Sequence, residues 1–200
     1  MNIKKLFSIA VLSVLLLINQ QEAKAQAFQQ EDVVFSLGYG MPNLTKSVFK
    51  AAFEGENASV SGFGPLHAKV EYGISDKIGI GLSINHVSTK FDAQYFDDIA
   101  NRNYFANYNY NSTKFNLRTN FHFSNSDKLD AYWGFGVGYG IGSVSVSTND
   151  PDLEDIDLSG GGLGFETTLG LRYFVTENVG LYTEVGFAKS IIQFGLNYKL

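Results

Sequence analysis

Cysteine is missing from all 200 residues, which excludes disulfides, thiolate metal sites, thiol nucleophiles and the lipidated cysteine of a bacterial lipoprotein. Past the N-terminus there is no apolar run near the roughly 20 residues that a membrane helix needs. A mature chain living in lipid must therefore cross it as strands. Positive charge is in deficit: 15 Lys and Arg stand against 20 Asp and Glu, for a formal net charge of −5. That balance argues against a nucleic-acid partner. What is plentiful is aromatic residues, at 14%, and glycine, at 21 residues, in a length that suits one β-rich domain.

The N-terminus carries the three parts of a secretory signal. Lys4 and Lys5 come first, an apolar segment spans residues 6–18, and a polar stretch then ends in small residues. Ala23 and Ala25 have the small-x-small spacing of a signal-peptidase site, so cleavage is expected after Ala25, with Ala27 as the alternative. Residues 1–25 are thus expected to be a cleaved signal peptide and residues 26–200 the mature domain. Losing Lys4, Lys5, Lys24 and Glu22 shifts the formal charge from −5 to −7.

Beyond the signal one pattern recurs: segments of about ten residues in which large apolar side chains alternate with small or polar ones. A strand sends successive side chains to opposite faces, so this period of two reads as β-structure. Eight such segments cover residues 32–40, 66–74, 78–88, 113–123, 129–141, 163–173, 179–187 and 191–200. The fifth is the clearest. There Leu129, Ala131, Trp133, Phe135, Val137, Tyr139 and Ile141 alternate with Asp130, Tyr132, Gly134, Gly136, Gly138 and Gly140. Each segment is long enough to cross a bilayer as a tilted strand, and an even number closes a meander without a free edge. The connections 75–77, 124–128 and 174–178 are short, whereas 41–65, 89–112 and 142–162 are long. With a periplasmic N-terminus, the short ones become inner turns and the long ones outer loops. The fold class is all-β: an eight-stranded antiparallel transmembrane up-and-down β-barrel.

A soluble lipocalin-like ligand carrier would alternate too, with its apolar face inward. Three features favour the membrane instead. Glycines on the fifth strand make room in a narrow lumen and would be wasted against solvent. Charges of both signs share the small face: Lys69, Lys114, Arg118, Arg172 and Lys199 with Glu71, Asp130, Glu166 and Glu184, a set expected to form a polar network in the lumen. Tyr72, Phe123, Trp133, Tyr173 and Tyr198 fall near the periplasmic ends on the apolar face, where they read as an interfacial aromatic girdle.

With these features the mature chain, from about Asp32 to Leu200, resembles the small OmpA/OmpX-type outer-membrane barrels. Its last eight residues, 193–200, resemble the C-terminal signal read by the barrel-assembly machinery. Gln193 fits the polar position, Gly195 the glycine, and Tyr198 and Leu200 the two hydrophobic positions; many members end in Phe or Trp where this chain has Leu200. The resemblance implies residence in the outer membrane after signal cleavage, with that membrane's lipid, its lipopolysaccharide and the assembly machinery as partners.

Eight-stranded interiors are about filled by side chains, so the expected function is non-enzymatic: support of the envelope or display of surface loops for adhesion, with narrow passive conduction at most and no cofactor or metal. The loops are the surfaces open to an extracellular ligand. Residues 92–110 interleave Tyr95, Phe96, Tyr104, Phe105, Tyr108 and Tyr110 with asparagines, a composition suited to contact and adaptable hydrogen bonding, and equally to packing on itself. The acidic stretch 149–157 lacks the spacing of a calcium loop and reads as a solvated tip. The competing class is a lipid A deacylase-like hydrolase using His86 and Ser88, a His-x-Ser pair on one strand face as nucleophile activation requires. No acid of matching parity and depth completes a triad, and Asp92 in the loop is a poor third member.

Overall fold

The period-two segments become eight antiparallel strands that close on themselves in sequence order. The computed structural model describes residues 26–52, 58–98, 101–124 and 126–200, so the expected signal peptide lies outside the described residues. The strands are β1 (Val33–Met41), β2 (Ala58–Ser75), β3 (Ile78–Asp97), β4 (Arg102–His122), β5 (Leu129–Thr148), β6 (Ile156–Phe174), β7 (Val179–Phe187) and β8 (Ile192–Lys199). The seam between β1 and β8 runs from Val34 opposite Lys199 to Met41 opposite Ile192, leaving no free edge around the lower barrel.

The burial pattern is inside-out relative to a soluble protein. Arg172, His67, Gln193, Glu166 and Glu184 are among the most completely buried side chains, while Leu37, Leu117, Trp133, Leu169 and Leu196 stand exposed around the outside. A lipocalin-like carrier would bury the second group and expose the first, so the soluble alternative is set aside. A lipid-facing band of this kind needs closed strand pairing behind it, because unpaired backbone groups have no partner in hydrocarbon.

Wall height is where the structure departs from expectation. Strands β2 to β6 are 18 to 21 residues long, against 8 or 9 for β1, β7 and β8. Crossing takes about 9–11 residues. The segments 89–112 and 142–162, expected as loops, are therefore mostly strand: β3 pairs with β4 up to Asp97 opposite Arg102, and β5 with β6 up to Val146 opposite Ile156. Above the membrane nothing demands an apolar outer face, and the alternation continues in other residues. Tyr104, Ala106, Tyr108 and Tyr110 take the inner face of β4, and Asn107, Asn109 and Asn111 the outer. On one side, then, a five-stranded wall rises well above β7, β8 and β1.

The connection 41–65 also holds a short helix, α1 (Leu44–Ala52). Asn43 caps it, its Oδ1 accepting from Lys46 N at 3.0 Å, and Phe49 stacks on Phe91 with ring centroids 6.1 Å apart. Where β2 passes from barrel to wall, Gly64 and Pro65 form a bulge between the pairs Phe63–Ser88 and Leu66–His86. Gly64 has φ +82°, a conformation that glycine adopts without penalty.

Candidate functional site: the barrel lumen

Every charged residue assigned to the small face by parity points into the lumen, where the side chains organise in tiers. At the periplasmic end, Arg172 on β6 donates through Nη2 to Glu71 on β2 and through Nη1 to Asp130 on β5, the latter at 3.2 Å. His122 on β4 lies between the same two carboxylates, 2.8 Å from Glu71 Oε1 and 2.7 Å from Asp130 Oδ1. Ionised carboxylates only accept, so both ring nitrogens carry protons and the ring counts as a cation.

The middle tier centres on two glutamates. Glu184 on β7 accepts from Lys69 Nζ at 2.7 Å, Arg118 Nη2 at 3.0 Å, Tyr132 OH at 2.7 Å and Thr168 Oγ1 at 2.9 Å. Glu166 on β6 accepts from Arg118 Nη1 at 3.0 Å, Ser83 Oγ at 2.9 Å, Asn85 Nδ2 at 3.1 Å and Asn116 Nδ2 at 2.8 Å. In these two tiers Lys69, Arg118, Arg172 and protonated His122 balance Glu71, Asp130, Glu166 and Glu184. Burying charge without such pairing is costly, and here each carboxylate has several donors.

The glycines are what let long side chains lie flat in so narrow a tube. A Cβ added at Gly134 would come within 2.0 Å of Arg118 Nη2, and one at Gly170 within 2.2 Å of the Tyr132 ring. A cavity of about 10 Å³, lined by Lys69, Glu71, Arg118, Asn120 and Arg172 among others, is room for roughly one water.

Two of the nine expected network residues stand apart. Lys199 turns to the N-terminal segment, 3.6 Å from Asp32 Oδ2 and 2.9 Å from the Gln26 carbonyl oxygen. Lys114 faces inward near the outer mouth and makes no ion pair among the described residues. The mixed-sign set is therefore not one network but a paired core with one lysine serving the floor and another left at the top.

No periodicity in the sequence marks that floor. Residues 26–32 fold back under the barrel, with Glu31 N donating to Gly73 O and Gly73 N to Asp32 O, both at 2.9 Å. Phe28, 5% exposed, stacks on His122 with ring centroids 3.5 Å apart. His122, His67 and Lys189 are basic lumen residues that the expected network did not include. His67 bonds Asn85 at 2.5 Å and Ser190 at 3.1 Å, and its inward parity was the available signal.

Outside the lumen, Tyr72, Phe123, Trp133 and Tyr173 lie exposed on the lipid face near the periplasmic ends, and Tyr198 is half-buried there. In the C-terminal strand Gln193 accepts from Lys69 Nζ at 2.8 Å, and Gly195 lies opposite Gly38 at the seam. Leu200 N donates to Val33 O at 2.9 Å. His86 and Ser88 share the outer face, as expected. His86 bonds Thr113 Oγ1 at 2.9 Å, a neutral partner on β4, and Asp92 lies six residues further up the strand. In the acidic tip, Asp150 Oδ2 accepts from Tyr95 OH at 2.5 Å, and Asp155 accepts from Thr148 N at 3.1 Å. This bond holds the Asp150 carboxyl below its usual range and pushes the Tyr95 phenol up to about 12.

Among solved structures, the chain is similar to the attachment invasion locus protein Ail of Yersinia pestis. The TM-score is 0.50 and the identity 11%, over 86% of this chain and 99% of that one. It is also similar to the outer membrane protein OprG of Pseudomonas aeruginosa, with TM-score 0.44 and 14% identity over 88% of this chain and 99% of that one. At 11% identity the likeness to Ail speaks for the fold alone. A search of curated proteins finds no match. Residues 10–199 match the family described as outer membrane protein beta-barrel domain. With its closed ring of eight strands, apolar exterior and ionic interior, the chain belongs to that family and resides in the outer membrane.

Proposed function

We propose that the protein is a non-enzymatic surface-display barrel: a closed transmembrane base that holds a rigid β-wall outside the cell as a contact surface. The observation that carries this reading is the pairing of a filled lumen with strands that stay hydrogen-bonded far above the membrane. A conducting barrel needs a continuous path, and Phe28, the two ionic tiers and their glycine-backed packing occupy it. A hydrolase needs an oriented base. His86 is held by a threonine hydroxyl, and no carboxylate among the described residues pairs with it.

The outer membrane's lipid and lipopolysaccharide surround the base, and the barrel-assembly machinery inserts it through the ending Gln193, Gly195, Tyr198 and Leu200. The wall then meets an extracellular ligand or surface. The experiment compares cells making the full protein with cells making a trimmed one, in which residues 91–108 and 146–156 are each replaced by a two-residue turn, leaving Lys90 opposite Asn109 and Ser145 opposite Asp157. Both proteins should migrate as folded barrels, and only the full one should promote surface attachment. Equal attachment would sink display and leave envelope support. The purified protein should give only sporadic conductance in planar bilayers and release no acyl chains from lipid A. Acyl release abolished by Ser88→Ala would establish the hydrolase instead.

A further inference from the structure

Every cation in the two lower tiers has a carboxylate within reach; at the outer mouth two lysines have none among the described residues. Lys114, on the inner face of β4, extends past Gly140 toward β6, where a Cβ built at Gly164 would lie 2.9 Å from its Nζ. Lys189, in the turn between β7 and β8, crosses the mouth and donates to Ser112 Oγ at 2.7 Å. Among the described residues neither forms an ion pair, and Glu166, the carboxylate next below, is taken up by Ser83, Asn85, Asn116 and Arg118. Burial and the like charge of Lys114 hold the Lys189 ammonium down at about 8.

Two half-buried ammonium groups near enough to repel each other cost free energy unless something balances them. The inner face of β6 above Gly164 is open enough to admit it. A Cβ at Gly160 or Gly162 would meet nothing within 4 Å, in contrast to the crowded glycines lower down. The wall is also notched here. β7 pairs with β6 only from Thr167 opposite Phe187 downward, so β6 above Thr167 has no neighbour on that side. Stacked Phe165 and Phe187, centroids 5.4 Å apart, form the lip of the notch.

We propose that Lys114, Lys189 and Ser112 form an anion site at the outer mouth that takes a phosphate monoester. A phosphate monoester carries about −1.5 to −2 charge at neutral pH and offers three acceptor oxygens, enough for both ammonium groups, where a carboxylate offers one charge. The notch gives a phosphate carried on a lipid headgroup a sideways route, and the open mouth gives a soluble one a route from above.

The test uses the mature full-length protein in non-ionic detergent. Native mass spectrometry measures retention of bis-phosphorylated lipid A against fully dephosphorylated lipid A, and calorimetry measures inorganic phosphate. Retention of the phosphorylated lipid alone, with weak heats from inorganic phosphate, supports the site with a lipid-borne ligand. Comparable binding of inorganic phosphate supports it with a soluble one. Lys114→Gln and Lys189→Gln should each weaken binding about tenfold, and the double variant should abolish it. Lys90→Gln, at an exposed lysine on the outer face of β3, should change nothing. Equal retention of both lipids with no heat from phosphate overturns the proposal, as does undiminished binding by a folded double variant. The comparison of ligands on the unaltered protein decides the matter even if a variant fails to fold. Its outcome is independent of the conductance and attachment measurements.

Discussion

Single residues in this lumen differ in worth according to how many partners each would strand. Glu184 receives four donors from four strands, so Glu184→Ala leaves Lys69, Arg118, Tyr132 and Thr168 without their shared acceptor. Removing one side of a buried ion pair typically costs about 3–5 kcal/mol. Urea unfolding in detergent should show a loss of that order for Glu184→Ala. Lys114→Gln should show little, because it strands nothing. A loss in Lys114→Gln as large as in Glu184→Ala would mean that the tiers are not the source of lumen stability. At the outer tip the Tyr95–Asp150 bond sets a pH window. The Asp150 pKa lies below its ordinary 3.8, so its contribution is complete above that value and fades as pH falls through the depressed one. The Tyr95 phenol at about 12 keeps its contribution up to the ordinary value of 10 and loses it as pH rises through 12. Proteolysis of the tip at pH 7 should quicken in Tyr95→Phe. Equal rates in the two proteins would show that the bond does not hold the tip.

At the scale of elements, the alternation was fully legible for the membrane-crossing parts and much less so elsewhere. Phe115, Leu117, Trp133, Phe135, Leu169 and Leu171 could face only lipid once their partners across the strand were charged or glycine. Above the membrane that constraint vanishes. Asn107, Asn109 and Asn111 alternate with Ala106, Tyr108 and Tyr110 as regularly as any lipid-crossing stretch, but polar residues on the outer face look like a loop when apolar residues are the signal sought. Helix α1 announced itself only by Asn43 and a short amphipathic run. Among the lumen charges, parity gave the face but not the neighbour, which is why Lys199 and Lys114 were grouped with a core they do not join. The floor made by residues 26–32 has no periodicity to read. Its geometry bears on processing: cleavage after Ala25 keeps the Gln26 and Ala27 carbonyls that accept from Lys199 Nζ, at 2.9 and 3.3 Å, and cleavage after Ala27 would remove both. N-terminal sequencing of the outer-membrane form should therefore begin at Gln26. Phe28→Ala should speed hydrogen exchange at the Gly73 amide, which the segment covers through the Asp32 carbonyl oxygen, several-fold. An unchanged rate would mean that the segment does not close the lumen.

The whole molecule depends on closure, and its glycines offer a way to test closure with one kind of substitution. At the seam Gly38 lies opposite Gly195, and a Cβ on Gly38 would sit 2.2 Å from Tyr182 OH and 2.6 Å from the Phe194 carbonyl oxygen. The tyrosine could swing aside, but the carbonyl belongs to the backbone of the pairing strand and cannot yield without opening the seam. A Cβ on Gly162, in the wall, would touch nothing within 4 Å. Both sites lose the same backbone entropy when glycine becomes valine, and valine favours strands, so intrinsic propensity predicts the same small gain at each. The closed barrel predicts opposite results. Closed strand ladders resist detergent until boiled, because every backbone group in the membrane zone already has a partner. Gly162→Val should thus keep the fast-migrating unboiled band and the slower boiled one. Gly38→Val should lose most of the fast band, since a seam held apart leaves β1 and β8 with unpaired edges in lipid. Equal band patterns for the two variants would place the closing contact somewhere other than the β1–β8 seam.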